Sequence, residues 1–204
     1  MKQKKLEMLL QTIPPPAEPK ASLEQYQTPA AIAADMLFNA AGDIQGNSVV
    51  DLGCGTGIFA IGAAMLGASS VAAIDIDPSV VAVAREQSER FDVDITCKVG
   101  DVAELDMRCN TVIMNPPFGA QYGNRRADRL FLQKALETAP VVHSLHLTKT
   151  TRFIRQLVTA LEGTITHTTA YQFSITPRFV FHTKRRVDVH VTAFRITKQR
   201  TQTR

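Results

Sequence analysis

The sequence predicts an α/β domain on a seven-stranded, mostly parallel sheet, with helices on both faces and an antiparallel edge. Three observations carry this prediction. From Ser48 onward, short β-branched apolar runs alternate with stretches of helical period, the pattern of strand–helix–strand units whose right-handed crossovers cover both faces of a parallel sheet. The last two extended runs, 164–175 and 187–196, have no helix between them and are expected to return as an antiparallel pair. With 204 residues, 45% hydrophobic and 21% charged, the chain can bury a core without disulfide or metal staples, and neither disorder nor a coiled coil describes it.

The elements follow in order. Leu6, Leu9, Leu10 and Ile13 are spaced for a short helix that Pro14-Pro15-Pro16 stops. Residues 1–22 are therefore read as a helix and stiff linker, 23–197 as the folded domain and 198–204 as a basic tail. A second helix is expected over 23–41, with Thr28-Pro29 as cap and first-turn pair. The alternation then gives a strand at Val49-Val50, helix 58–66, strand 71–74, helix 78–91 and strands 95–99 and 111–114. Helix 127–138, strand 141–147 and helix 151–161 lead into the final pair.

Several function classes are excluded at this level. Cys54, Cys97 and Cys109 form no CxxC pair, so neither a disulfide framework nor a zinc ribbon is supported, and a reducing cytoplasm is the expected home. No apolar run approaches the roughly 20 residues that cross a bilayer. The five histidines, 143, 146, 167, 182 and 190, show no metal-ligand spacing, and no metal is expected. His143 and His146, in an apolar strand, read as packed, hydrogen-bonded side chains.

The formal charge of +4 is unevenly placed. Residues 1–122 hold 8 basic and 15 acidic side chains, a net −7, whereas residues 123–204 hold 15 and 4, a net +11. A cationic block of that kind invites a polyanion.

Val49-Val50-Asp51-Leu52-Gly53-Cys54-Gly55-Thr56-Gly57 places three glycines between a strand and a helix, where a tight turn lets a ligand lie against bare backbone. Asp75 ends the next strand, about 20 residues on, the position from which a carboxylate meets ribose hydroxyls. Asp77 reads as the cap of the helix that opens at Pro78. Asp101-Val102 follows the third strand, where a carboxylate and a backbone N–H suit an adenine edge, although Asp101 also suits a turn. Asp51 before the first glycine opposes a pyrophosphate, which prefers a helix N-terminus free of carboxylates. S-adenosylmethionine, a cation without phosphate, is favoured by the same charge.

Asn115-Pro116-Pro117-Phe118 follows the apolar strand 111–114. Consecutive prolines stop the sheet and remove two donors while leaving carbonyl acceptors. The Asn115 side-chain oxygen and the Pro116 carbonyl can accept both hydrogens of a planar amino group, and Phe118 can stack on the attached ring. Pinning both hydrogens outside the ring plane localises the nitrogen lone pair toward a methyl donor, so orientation and electrostatics replace a strong base. A base that enters such a pocket is single-stranded or flipped out. Arg125, Arg126 and Arg129 after the tetrapeptide and Lys184-Arg185-Arg186 between the last strands are candidate phosphate contacts.

Together these segments resemble the methyltransferase-like 5 family of ribosomal RNA adenine-N6 methyltransferases, with its archaeal members. The likeness runs through Leu23 to Thr28, the Asp51 to Gly57 loop, Asp75-Ile76-Asp77, Val112 to Gly119, Phe131 to Glu137, Ser144-Leu145-His146 and His182 to Asp188. It implies a Rossmann-like class I methyltransferase fold and S-adenosylmethionine as cofactor. Gln25 and Thr28 would then close over the cofactor's amino-acid end, with Gly53, Gly55, Thr56, Gly57 and Ile58 around it. Asp75 would hold the ribose, Asp101 and Val102 the adenine, and Asn115 to Phe118 would be catalytic. The family often has cysteine where Thr56 stands, so a backbone contact is the part of that role that transfers. The resemblance also implies ribosomal RNA and a small zinc-containing activator subunit as partners. Competing readings are methylation of a glutamine amide, whose enzymes usually carry Tyr where Phe118 stands, and a catalytically silent RNA-binding subunit. A nicotinamide oxidoreductase ranks last because of Asp51.

Overall fold

A computed structural model describes residues 1–118, 127–175 and 187–198. Its helices are α1 (Gln3–Leu10), α2 (Ala30–Asn39), α3 (Ala41–Ile44), α4 (Ile58–Met65), α5 (Pro78–Arg90), α6 (Ala127–Thr138) and α7 (Thr151–Ala160). Its strands are β1 (Ser48–Leu52), β2 (Ser70–Asp75), β3 (Thr96–Val99), β4 (Thr111–Met114), β5 (Val141–Leu147), β6 (Thr164–Ile175) and β7 (Val187–Thr197). They form one sheet in the order β3-β2-β1-β4-β5-β7-β6. The first five strands are mutually parallel and β7 runs antiparallel to both β5 and β6, so the expected architecture is the observed one.

Alternation along the strands sends buried side chains to two cores. On one face Val49, Ile113, Leu145 and Val191 pack with Leu6, Leu10, Leu37 and Ile61. On the other, Val50, Leu52, Val112, Met114 and Phe194 pack with Leu132 and Leu136 of α6 and Ile154, Leu157 and Val158 of α7. The N-terminal helix is thus part of the main core: Leu6 and Leu10 are fully buried.

The helix expected over 23–41 is shorter than its sequence pattern. A 3-10 turn covers Ala21–Leu23 and α2 begins only at Ala30, with Pro29 at the cap position and no side-chain capping bond. Instead Glu24 turns the chain at φ 51°, and residues 25–29 cross the mouth of the sheet as a strap with neither helix nor strand structure. Thr28 is buried, and its hydroxyl serves a partner across the fold, described below.

The final hairpin reaches beyond its neighbours. Leu147, the last residue of β5, pairs with Val191, while β6 and β7 continue pairing to Ile175 opposite Val187. The hairpin therefore extends past β5 at the end of the sheet where the parallel strands terminate. That end is where ligands bind in open α/β sheets.

Candidate functional site

After β1 the chain turns through Gly53, Gly55 and Gly57, all at positive φ (72°, 52° and 90°). Gly53 and Cys54 donate their backbone N–H groups to the Ile74 carbonyl at 2.8 and 3.0 Å, which fastens the loop to the end of β2. Gly55 donates to Asp75 Oδ2 at 2.9 Å and Asp77 N–H to Asp75 Oδ1 at 3.0 Å. A β-carbon on Gly55 would meet nothing within 4 Å, whereas one on Gly57 would lie 3.1 Å from Ala84 Cβ. Gly55 thus presents open backbone, and Gly57 allows α4 and α5 to approach.

Asp51 lies beneath this loop and is 1% exposed. Its Oδ2 accepts the Ala60 N–H at 2.9 Å, while Oδ1 has no hydrogen-bond partner among the described residues. Burial pushes its carboxyl up to about 8; the Ala60 bond opposes this shift and nearby Asp75 reinforces it. Burial likewise raises Asp75, against the backbone donors that hold it.

Above the loop lies a cleft of about 340 Å³. Gln25, Thr28, Gly53, Gly55, Thr56, Ile58, Asp75, Asp101, Val102, Asn115 and Pro117 all line it. Among the residues expected to touch a cofactor, Asp51 and Gly57 are absent from its walls. β1 is buried on both faces, with Val50 and Leu52 on one and Val49 on the other, and Asp51 shares the Val49 face by strand alternation, which accounts for its place under the floor. Asp101 also caps the following 3-10 turn, accepting the Ala103 N–H at 2.8 Å.

Asp77 does more than the capping read from the sequence. It accepts the Ser79 N–H at 3.0 Å at the start of α5, and also takes Gln25 Nε2 at 2.7 Å and Lys20 Nζ at 2.9 Å. Burial alone would raise its carboxyl, but the bonds from Gln25, Lys20 and Ser79 hold it well below the usual carboxylate range. This carboxylate anchors one end of the strap.

The other end of the strap grips Asn115. The Asn115 Nδ2 donates to Thr28 Oγ1 at 2.9 Å, and Oδ1 accepts from the Tyr26 hydroxyl at 3.1 Å. This fixes the plane of the amide and leaves Oδ1 one further acceptor position. The Tyr26 ring lies 4.9 Å from that of Phe118, tilted 36°. Burial, opposed by the Asn115 bond, keeps the Tyr26 hydroxyl well above its ordinary value, so it stays a donor. Pro116 is buried and Phe118 half-buried; Asn115 and Pro117 line the cleft but these two do not, and Phe118 packs against the core that holds Leu6, Leu10 and Leu37. Leu130 and Phe131 of α6 complete the wall.

Sequence reasoning did not assign Tyr26, Leu130 or Phe131 to the site. The signal for Tyr26 was its place between Gln25 and Thr28, hidden by the expectation of helix there. Arg129 is exposed in the first turn of α6. Arg125, Arg126, Lys184, Arg185 and Arg186 lie outside the described residues. Among the described residues, no cluster of His, Cys, Asp and Glu suits a metal ion, and no helix is long and apolar enough to cross a membrane.

Five parallel strands closed by a reversed hairpin, a glycine turn after the first and a carboxylate ending the second define a Rossmann-like class I S-adenosylmethionine-dependent methyltransferase. Residues 32–115 match the family model described as ribosomal protein L11 methyltransferase (PrmA); this match ends at Asn115, before the rest of the tetrapeptide. An uncharacterized protein of Methanocaldococcus jannaschii is 39% identical, with 97% of this chain and 95% of that protein covered. The rRNA N6-adenosine-methyltransferase METTL5 of Danio rerio is 36% identical, with 97% and 99% covered. The crystal structure of a candidate RNA methyltransferase from Pyrococcus horikoshii superposes with a TM-score of 0.90 at 38% identity, covering 97% of this chain and 98% of that one. The chain belongs to the METTL5 family of rRNA N6-adenosine-methyltransferases.

Proposed function

We propose that this protein transfers a methyl group from S-adenosylmethionine to the N6 amino group of an adenine in RNA, with small-subunit ribosomal RNA as substrate. The observation that carries the reading is the Asn115 amide, held in one orientation by Tyr26 and Thr28 at the edge of the cleft that Asp75 and the glycine loop line.

The residues present fit the cofactor. A volume of about 340 Å³ lies in the ~300–1,000 Å³ range of small-molecule sites, and Gly55 offers backbone that no side chain obstructs. The unpartnered oxygen of Asp51 beneath the loop suits a cationic ligand above it. Of the residues lining the cleft, Asp75 would hold the ribose hydroxyls, Asp101 and Val102 the adenine, and Gln25 and Thr28 the amino-acid end. When bound, S-adenosylmethionine supplies an electrophilic methyl group on a sulfonium.

On the acceptor side, the free lone pair of Asn115 Oδ1 takes one N6 hydrogen and the Pro116 carbonyl the other. Phe118, backed by Tyr26, holds the base plane. Both groups orient the nitrogen lone pair and stabilise charge developing there. The proton leaves after transfer, when the nitrogen is positively charged and acidic. Exposed Arg129 and the basic segment carried by the β6–β7 hairpin bind flanking phosphates. The small zinc-containing activator subunit belongs to the same proposal as a partner, and the cytoplasm as the site of action.

Incubating the purified protein with labelled S-adenosylmethionine and unmodified ribosomal RNA, followed by nucleoside mass spectrometry, tests the reading. Label in N6-methyladenosine is expected. Label only on protein, or on guanine, overturns the adenine assignment. Asn115→Ala should abolish turnover with cofactor affinity nearly intact; equal loss of both would make the residue structural.

A further inference from the structure

Ser144, His146 and Asp128 stand in a hydrogen-bonded row between β5 and α6. Ser144 Oγ lies 2.6 Å from His146 Nε2, and His146 Nδ1 lies 2.6 Å from Asp128 Oδ1. The His146 ring meets Phe194 edge-on at 5.9 Å. The same three residue types in the same order form the nucleophile, base and orienting acid of hydrolases. Here Ser144 and His146 have no exposed surface, so no substrate reaches the serine and hydrolysis is ruled out.

The row has one end near the cleft. Asp128 lies in the first turn of α6, its side chain is 15% exposed, and its charge reaches Tyr26, the residue that holds Asn115. Two and three residues on, Leu130 and Phe131 line the cleft. The later turns of α6 are anchored by fully buried Leu132 and Ala135. In the first turn Arg129 is exposed and Leu130 is 37% exposed, so apolar burial gives that turn little hold. Buried polar rows are also an expensive way to fill a core, since apolar residues of similar volume usually stabilise as well. A requirement for position at the cleft wall accounts for the arrangement.

We propose that His146, braced by Ser144, acts through Asp128 as a positioning residue for methyl transfer, fixing the first turn of α6 and the Leu130–Phe131 wall of the cleft. This rests on the reading of the cleft as a methyl-transfer centre. A displacement of about 1 Å at a reacting geometry can cost up to ~10²-fold in rate, whereas a brace that only stabilises the fold leaves the rate per folded molecule unchanged.

The test uses the full chain in four forms: wild type, Asp128→Ala, His146→Phe and Asp128→Asn. Asparagine keeps an oxygen that can accept from His146 Nδ1–H. Three quantities are measured: kcat and KM with RNA at saturating S-adenosylmethionine, cofactor Kd by calorimetry, and hydrogen exchange of the peptide covering 128–136. Asp128→Ala and His146→Phe should lower kcat by about tenfold or more, change cofactor Kd by less than about threefold, and accelerate exchange in that peptide, while Asp128→Asn recovers most of the rate. Full kcat with only a lowered Tm overturns the proposal, as does unchanged exchange or an Asp128→Asn variant no better than Asp128→Ala. If Asp128→Ala does not fold, His146→Phe against Asp128→Asn supplies the same contrast. Wild-type transfer to an acceptor other than RNA adenine would refute the substrate reading alone; kcat on that acceptor and the exchange data would still decide whether His146 and Asp128 position the cleft wall.

Discussion

Replacing Asp51 with asparagine should make the stability of the cofactor-free protein far less dependent on pH. Asp51 has an ordinary value of 3.8 and is raised to about 8 in the fold. Between those values the folded state binds more protons than the unfolded chain. The contribution of Asp51 is therefore most favourable below pH 3.8 and is lost as pH rises toward 8, at about 1.4 kcal/mol per pH unit. Asparagine titrates nowhere in this range. Its oxygen can still accept the Ala60 N–H, and its unpaired amino group imposes a fixed cost of about 1–3 kcal/mol at every pH. The difference in unfolding free energy between variant and wild type should thus shift in favour of the variant by about 3 kcal/mol from pH 5 to pH 7.5. Urea denaturation of both proteins at pH 5, 6.25 and 7.5 measures that slope directly. A difference that stays flat across the series would refute the account of Asp51 as a buried, protonated acid. The same account predicts weaker S-adenosylmethionine binding by the variant and proton release when wild type binds it, which calorimetry in buffers of different ionisation enthalpy reads out.

Tyr26→Phe keeps the ring beside Phe118 but removes the hydroxyl that donates to Asn115; kcat should fall about three- to tenfold, the worth of one neutral hydrogen bond, with cofactor Kd nearly unchanged. Gly57→Ala must place a β-carbon at φ 90° and 3.1 Å from Ala84 Cβ, which should cost about 2 kcal/mol and lower Tm by roughly 4–8 °C in a melting experiment. Hydrogen bonds from Arg195 and His143 hold Asp43 well below the usual carboxylate range, and Asp77 is held low by its own partners. Their contribution is present above about pH 3.8 and lost as pH falls below it, opposite in sense to Asp51. Melts between pH 2.5 and pH 8 should show this acid limb, and Asp43→Asn should shorten it.

The features legible in the sequence were those that depend on near neighbours in the chain. Glycines after an apolar strand announce a turn, alternating strand and helix patterns announce parallel pairing, and parallel pairing puts every strand end on one side of the sheet. The sequence alone therefore assigns the Gly53 loop, Asp75, Asp101 and Asn115 to one cleft. Residues 24–29 were not legible. The pattern of Leu23, Ile32, Met36 and Leu37 carries a helix across them, but they are held off the helix by Gln25 on Asp77, Tyr26 on Asn115 and Thr28 on Asn115, partners 52, 89 and 87 residues away. The same holds for His146, a packed histidine by its local sequence, whose bond to Asp128 links it to the cleft wall.

The charge division shows the boundary most plainly. The sequence by itself determined that residues 1–122 are acidic and the remainder basic, and that a cationic methyl donor and a polyanion suit those halves. Only the register of the antiparallel pair decided that the hairpin flanking Lys184–Arg186 extends past β5 at the Asn115 end of the sheet. Composition and local periodicity are fixed by each residue and its near neighbours, whereas register and buried ion pairs are fixed by free energies of contact between segments that meet only when the whole sheet forms.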